Sequence, residues 1–192
     1  MVLGLFFSMV FGAGQKVCHA QETTINREYR IKAAYLFNFG RYTQWPKDCW
    51  PDKEAPFVIG VLGPNPFGTS LNQIAAEKQL QGRKILVRYF KDLSEYRPCQ
   101  MLYIDKRVSQ EEQKKAIKKL ATKPVLIVGE NYPFLEGGGM IAFFIEENKI
   151  PFGVNLVAMN RADLKLSSKV LKLAAVVKKD EEPPRTTSTS SR

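Results

Sequence analysis

The stretch at residues 32–46, KAAYLFNFGRYTQWP, constrains this chain more than any other. Ala33, Ala34, Tyr35, Leu36, Phe37 and Phe39 leave no clean polar face at a 3.6-residue period. A helix with that character is buried rather than half exposed. It is expected to break off at Trp45-Pro46, because proline disfavours helical geometry in the residue before it. Burial against a sheet is the expected fate of Leu36, Phe37 and Phe39. Tyr35, Arg41, Tyr42 and Trp45 lie nearer the polar end or carry polar tips, and are the candidates for contact with a partner.

The segments that follow supply the sheet. Residues 57–62 (FVIGVL) form a short continuous apolar run of strand length. A turn (GPNPFG) leads into helical spacing over 71–80, and residues 84–90 alternate as a strand does. Residues 100–104 (QMLYI) form another strand. Ser109 and Glu112 have the spacing of a capping box for a helix running to about Thr122. Pro124 then admits the buried-type strand at 125–128, and a loop at 129–139 closes on three glycines. Residues 140–146 and 150–156 read as a hairpin, and residues 160–177 as a last helix. Strands alternating with helices and ending in a hairpin predict a single α/β domain. Its mixed sheet has parallel central strands, a C-terminal antiparallel hairpin and helices on both faces.

Two ends fall outside that domain. Residues 2–12 are apolar and uncharged, too short to span a bilayer. Cys18-His19-Ala20 then places small residues where signal peptidase favours them. No Lys or Arg precedes Lys16, so the charged start of a leader is missing. The expected organisation is a signal peptide at 1–20, an α/β domain at 21–178 and a polar, Pro/Ser/Thr-rich disordered tail at 179–192. The mature protein is expected in the periplasm.

Cleavage after Ala20 removes the chain's one histidine. Ser-His-Asp and Cys-His catalysis and His-ligated metal sites are then excluded. Cys49 and Cys99 remain. In an oxidising compartment two cysteines are read as one disulfide, with a pair of free buried thiols as the alternative. The formal charge of +10 comes from scattered lysines and arginines. Export removes nucleic acid as a partner, and the charge keeps the protein soluble or near anionic surfaces.

No catalytic constellation stands out, and neither a cofactor nor a metal is expected. The glycines at 60–68 lack dinucleotide-loop spacing, and two prolines there remove phosphate donors. Glu130, Glu136, Glu146 and Glu147 flank the second Gly-rich loop, but nothing in the sequence brings any two together. Phe134, Phe152 and Asn155 lie on the loop and hairpin, either in the core or rimming an apolar patch that marks a protein interface.

The opening helix resembles that of the YfiR/HmsC-like family, whose first helix reads much like KAAYLYNFAKFTEWP. The likeness continues in order through FVIGVLG with NPFG, CQMLYI, VLIVG, GGGMIAF, FGVNL and LSSKVL. It covers nearly all of the mature chain. The resemblance implies a regulatory protein rather than an enzyme. Such proteins are periplasmic repressors that bind the periplasmic sensor portion of an inner-membrane diguanylate cyclase and lower cyclic di-GMP and biofilm formation. An outer-membrane lipoprotein can sequester the repressor, and reduction of its disulfides can inactivate it. Cys49 and Cys99 are the one pair here that could serve that purpose, and a second bond found in some members is absent. A second copy of the chain is a further candidate partner. Two other readings stay open: a small-ligand-sensing module working with a membrane sensor such as a histidine kinase, and a hydrolase using carboxylates alone.

Overall fold

The computed structural model describes residues 15–146 and 149–179, with side chains described from residue 27 onward. The expected leader at 1–20 and tail at 179–192 fall mostly outside that range, as does the hairpin tip at 147–148. The apolar run after the first helix is β2 (Phe57–Leu62), counting the short Thr43–Gln44 as β1. It is buried along its whole length, as a central parallel strand must be. The helix α2 (Ser70–Glu77) returns the chain past β3 (Gln79–Leu80) to β4 (Arg83–Phe90). This strand pairs with β2 in parallel from Phe57↔Ile85 to Leu62↔Phe90. On the other side of β2 lie β5 (Met101–Ile104), β6 (Leu126–Glu130) and β7 (Ile141–Phe143), all parallel. They are joined through α3 (Gln110–Leu120) and α4 (Tyr132–Glu136).

The hairpin closes when β8 (Phe152–Asn155) returns antiparallel to β7, with Phe143 opposite Phe152. A last strand, β10 (Val176–Lys178), lies parallel to β8 at the sheet edge. The order is β10-β8-β7-β6-β5-β2-β4-β3. The expected α/β class, parallel centre and antiparallel hairpin are all present. In the 160–177 region the structure departs from expectation. In place of one helix the chain forms α5 (Leu156–Arg161), β9 (Lys165–Leu166), α6 (Ser168–Leu171) and β10. Asp163 takes a left-handed φ of 51° just past α5, which stops the helix. The Ser167 hydroxyl accepts from Lys169 N at 3.3 Å and starts the next one. Between them β9 pairs with β1 in a separate two-stranded ladder.

The first helix, α1 (Gln15–Tyr42), lies on the sheet by a stripe made of Tyr29, Lys32, Ala33, Leu36, Phe39 and Gly40. Their spacing of three and four residues is that of one helix face. Arg30, Ala34, Asn38 and Arg41 point outward, so the helix has a solvated side after all. Phe37, expected in the core, is only half-buried, beneath the Lys78 ammonium at 5.7 Å. A Cβ on Gly40 would stand 2.7 Å from Leu80, so glycine lets β3 approach the helix. The C-terminal carbonyls of α1 are satisfied from a distance: Gln81 Nε2 donates to Gly40 O at 3.1 Å and to Thr43 O at 3.2 Å.

Candidate functional site

Strand alternation gives the sheet two unlike faces. Phe143 and Phe152 project toward α1, where they meet Tyr35 and Phe39 in an aromatic cluster with centroids 5.0–5.9 Å apart. Rings at such distances attract beyond their burial by about 0.5–1.5 kcal/mol per pair. The cluster does not close over itself. Between α1 and α6 it opens as a groove of about 230 Å³ with Phe39, Phe152 and Val170 as its buried floor. Tyr35 and Tyr42 form its wall, and Asn38, Lys169 and Leu173 its rim. Leu173 is 70% exposed, more than any other large apolar side chain among the described residues. An aromatic-floored groove with an apolar lip is the form that an anchoring side chain of a partner fills.

Of the residues singled out from sequence, Tyr35, Tyr42 and Phe152 come together here. Arg41 is adjacent, its guanidinium 5.5 Å from the Tyr42 ring. The other three do not join them. Trp45 packs edge-on against Phe57 at 5.1 Å, outside the groove lining. Phe134 is buried on the opposite face, filling the space over Gly129 and Gly139. Asn155 is buried as the N-cap of α5, its Oδ1 accepting from Ala158 N at 3.0 Å and its Nδ2 donating to Leu135 O at 3.2 Å. Sequence reasoning missed Asn38, Lys169, Val170 and Leu173. The expectation of one long terminal helix hid the last three, since a helix over 160–177 would have aimed Leu173 elsewhere, while Asn38 lies on the exposed side of α1 with no signal of its own.

A second arrangement went unforeseen. In an open α/β sheet, ligands enter the crevice at the carboxyl ends of the strands where the strand order reverses. That point lies between β2 and β5, and here it is filled. Tyr29 of α1 meets Phe67 edge-on at 5.6 Å, and Phe67 meets Tyr103 at 4.8 Å. Beside them the fully buried Lys32 ammonium pairs with Glu130 Oε2 at 2.9 Å and Glu28 Oε1 at 2.5 Å. Tyr29 and Tyr103 both donate to Glu130 Oε1. Burial first, and the Glu130 charge second, hold both phenols well above their ordinary value. These groups are locked to one another, and they tie α1 to the sheet. Glu130 therefore meets none of the other carboxylates described around the second Gly-rich loop; the carboxylate that shares its lysine is Glu28. Glu136 is exposed and bonded to Lys178 at 2.8 Å, and Glu146 is exposed.

The bridge expected between Cys49 and Cys99 is not formed: both are free thiols. Cys49 ends a short 3₁₀ turn, Lys47–Cys49, and is half-buried. Cys99 is buried toward Gly60 and the Tyr96 hydroxyl, while the neighbouring Gln100 side chain reaches Cys49 O at 3.4 Å. Burial raises the Cys49 thiol to about 11 and the Cys99 thiol to about 12. Among the described residues no group of three or more side chains is placed to hold a metal, and no helix is long and apolar enough to cross a membrane.

A family model described as YfiR/HmsC-like matches residues 29–175, which takes in the groove and all of the buried cluster except Glu28. Solved structures that are similar include a conserved domain protein from Vibrio cholerae O1 biovar El Tor. It is 12% identical with a TM-score of 0.45, over 64% of this chain and 55% of that one. Another is an ABC domain from Streptococcus pneumoniae in complex with L-Trp. It is 11% identical with a TM-score of 0.46, over 62% of this chain and 54% of that one. This chain spans about half the length of either, and neither likeness is close enough to bear on function.

Proposed function

The chain belongs to the YfiR/HmsC-like family, and from that membership we propose that it is a periplasmic repressor of an inner-membrane diguanylate cyclase, docking on the enzyme's periplasmic portion through the α1–α6 groove. Residues 1–20 are its export signal, and an outer-membrane lipoprotein that competes for the same surface relieves repression. The observation that carries the reading is the groove itself: a buried aromatic floor beside a leucine left 70% exposed. Apolar and aromatic side chains gathered around one groove, unlike those scattered singly over a surface, mark an interaction site.

A repressor of this kind needs no chemistry. It must bind one conformation of the cyclase more tightly than the other, since a ligand shifts an equilibrium only by its differential affinity. A preference of about 100-fold corresponds to about 2.7 kcal/mol of coupling, which one or two aromatic anchors can supply. The experiment is a deletion of the gene, followed by measurement of cellular cyclic di-GMP. The level is expected to rise, and to rise through one membrane cyclase, so that removing that cyclase as well restores it. An unchanged level in the deletion strain overturns the proposal. Sequencing the N-terminus of the periplasmic protein tests the export signal, with residue 21 the expected start.

A further inference from the structure

On the face opposite the groove, α3, α5 and β10 surround a cleft of about 400 Å³. Its floor is apolar, formed by Ile117, Met140 and Ala158, all buried. Its charged groups are Lys114 and Lys118 from α3, Arg161 from α5 and Lys178 from β10, against the single carboxylate Glu136. Lys178 and Glu136 satisfy each other at 2.8 Å. Lys114, Lys118 and Arg161 make no ion pair with any described residue.

The arrangement of these cations carries an electrostatic cost. Lys114 and Lys118 stand four residues apart on one face of α3, where like charges destabilise a helix. Glu111, three residues before Lys114, is the acidic residue nearest them on the helix surface, and it forms no ion pair with any described residue. Across the cleft Arg161 adds a third unpaired cation on an independent element. Three like charges facing one another around an apolar floor repel until an anion enters. The volume lies in the range of small-molecule sites, which are mostly apolar with a few convergent polar groups. Asn155 also borders the cleft, but its amide is already committed to Leu135 and Ala158. Recognition therefore falls to the cations.

We propose that this cleft binds a small molecule with an apolar body and two negative charges, such as an aryl phosphate or a dicarboxylate. Arg161 offers a planar fork for the acid group, and Lys114 and Lys118 neutralise the second charge. The same chemistry is present in the chain's own Asp180, Glu181 and Glu182, which begin two residues beyond Lys178. The test separates the two sources.

Phenyl phosphate is titrated calorimetrically into the full mature chain, with phenol as the neutral counterpart. One saturable site is expected for phenyl phosphate and none for phenol. Lys118→Gln with Arg161→Gln should weaken it at least tenfold. Lys84→Gln with Lys91→Gln, exposed lysines outside the cleft, should leave it within twofold. All four substitutions sit on the surface, and an unchanged melting temperature verifies the fold. Absence of saturable binding, or an equal loss in the Lys84/Lys91 variant, overturns the proposal. So does a tenfold gain in affinity when Asp180, Glu181 and Glu182 are all changed to amides, because the chain's own acidic segment would then be the occupant. None of these readings depends on the cyclase, so the two proposals fail independently.

Discussion

The two faces of the sheet are built from the same strands and reach opposite solutions. Toward α1 the hairpin presents Phe143 and Phe152; one residue away in each strand, toward α4, it presents Ala142 and Gly153. The large face receives other aromatics and leaves a groove where they fail to close. The small face receives whole side chains: Phe134 over Gly129, and Leu135 over Gly153. Charge divides in the same way. The α1 face carries a buried ion pair, Lys32–Glu130, whereas the other face carries an exposed one, Lys178–Glu136. What distinguishes the grooved face from the closely packed face here is which partner the strand residues were left to find.

The largest expected effect breaks the charge comparison. Lys32→Ala leaves Glu130 buried and uncompensated between two phenols, and should cost about 3–5 kcal/mol in denaturant unfolding. Lys178→Ala removes an exposed pair of similar length and should cost less than about 1 kcal/mol. Equal losses would erase the distinction between the faces. Next in size is Gly129→Ala, whose new Cβ would stand 2.5 Å from the Phe134 ring, on a face with no room. A loss of about 1–3 kcal/mol is expected, recovered in part when Phe134→Leu is added.

A smaller effect tests the buried protonated groups, the two phenols of the large face and the Cys99 thiol. Tyr29, Tyr103 and Cys99 all hold their protons more tightly in the folded chain than their ordinary values, because burial disfavours the anion. The folded state therefore binds more protons than the unfolded state as pH rises through the unfolded values, from about 9 upward. Stability contributed by these neutral groups is complete below that pH and is lost as the folded values are approached. Melting temperature should be flat from pH 6 to 8 and fall steadily above pH 9. A flat profile to pH 11 would mean that the phenols are not buried as described. The smallest effect concerns the thiols. With the Cys49 thiol raised to about 11, alkylation by iodoacetamide at pH 7.5 should be slower than for an unhindered thiol, and Cys99 should react only on unfolding.

Much of this architecture was legible because local and global preferences agree. The β2 run is apolar at every position since both of its faces are covered, and Ser109 accepts from Glu112 N at 3.3 Å as the capping pattern foretells. The reciprocal half of that box is missing, because the Glu112 carboxylate serves Leu93 N instead. Where tertiary pairing overrides local periodicity, the reading failed. Leu164, Val170, Leu171, Ala174 and Val177 have helical spacing, but β9 and β10 are recruited by β1 and β8, partners that no window of residues reveals. The Lys32–Glu130 pair was illegible for the same reason, since its members meet only once α1 lies across the strand ends. Within the groove, the aromatic members were visible as residue types, and the exposed Leu173 was not, because its exposure depends on where α6 stops.

The groove between α1 and α6 carries the proposed docking, and one measurement addresses it directly. Leu173→Asp places a charge on the lip without touching the core, so folding and abundance should be unchanged. Cellular cyclic di-GMP is then measured in a strain producing this variant at the normal level. The expected result is a rise to the level of the deletion strain; a level held at that of the unmodified protein would contradict the assignment of the α1–α6 groove as the docking site.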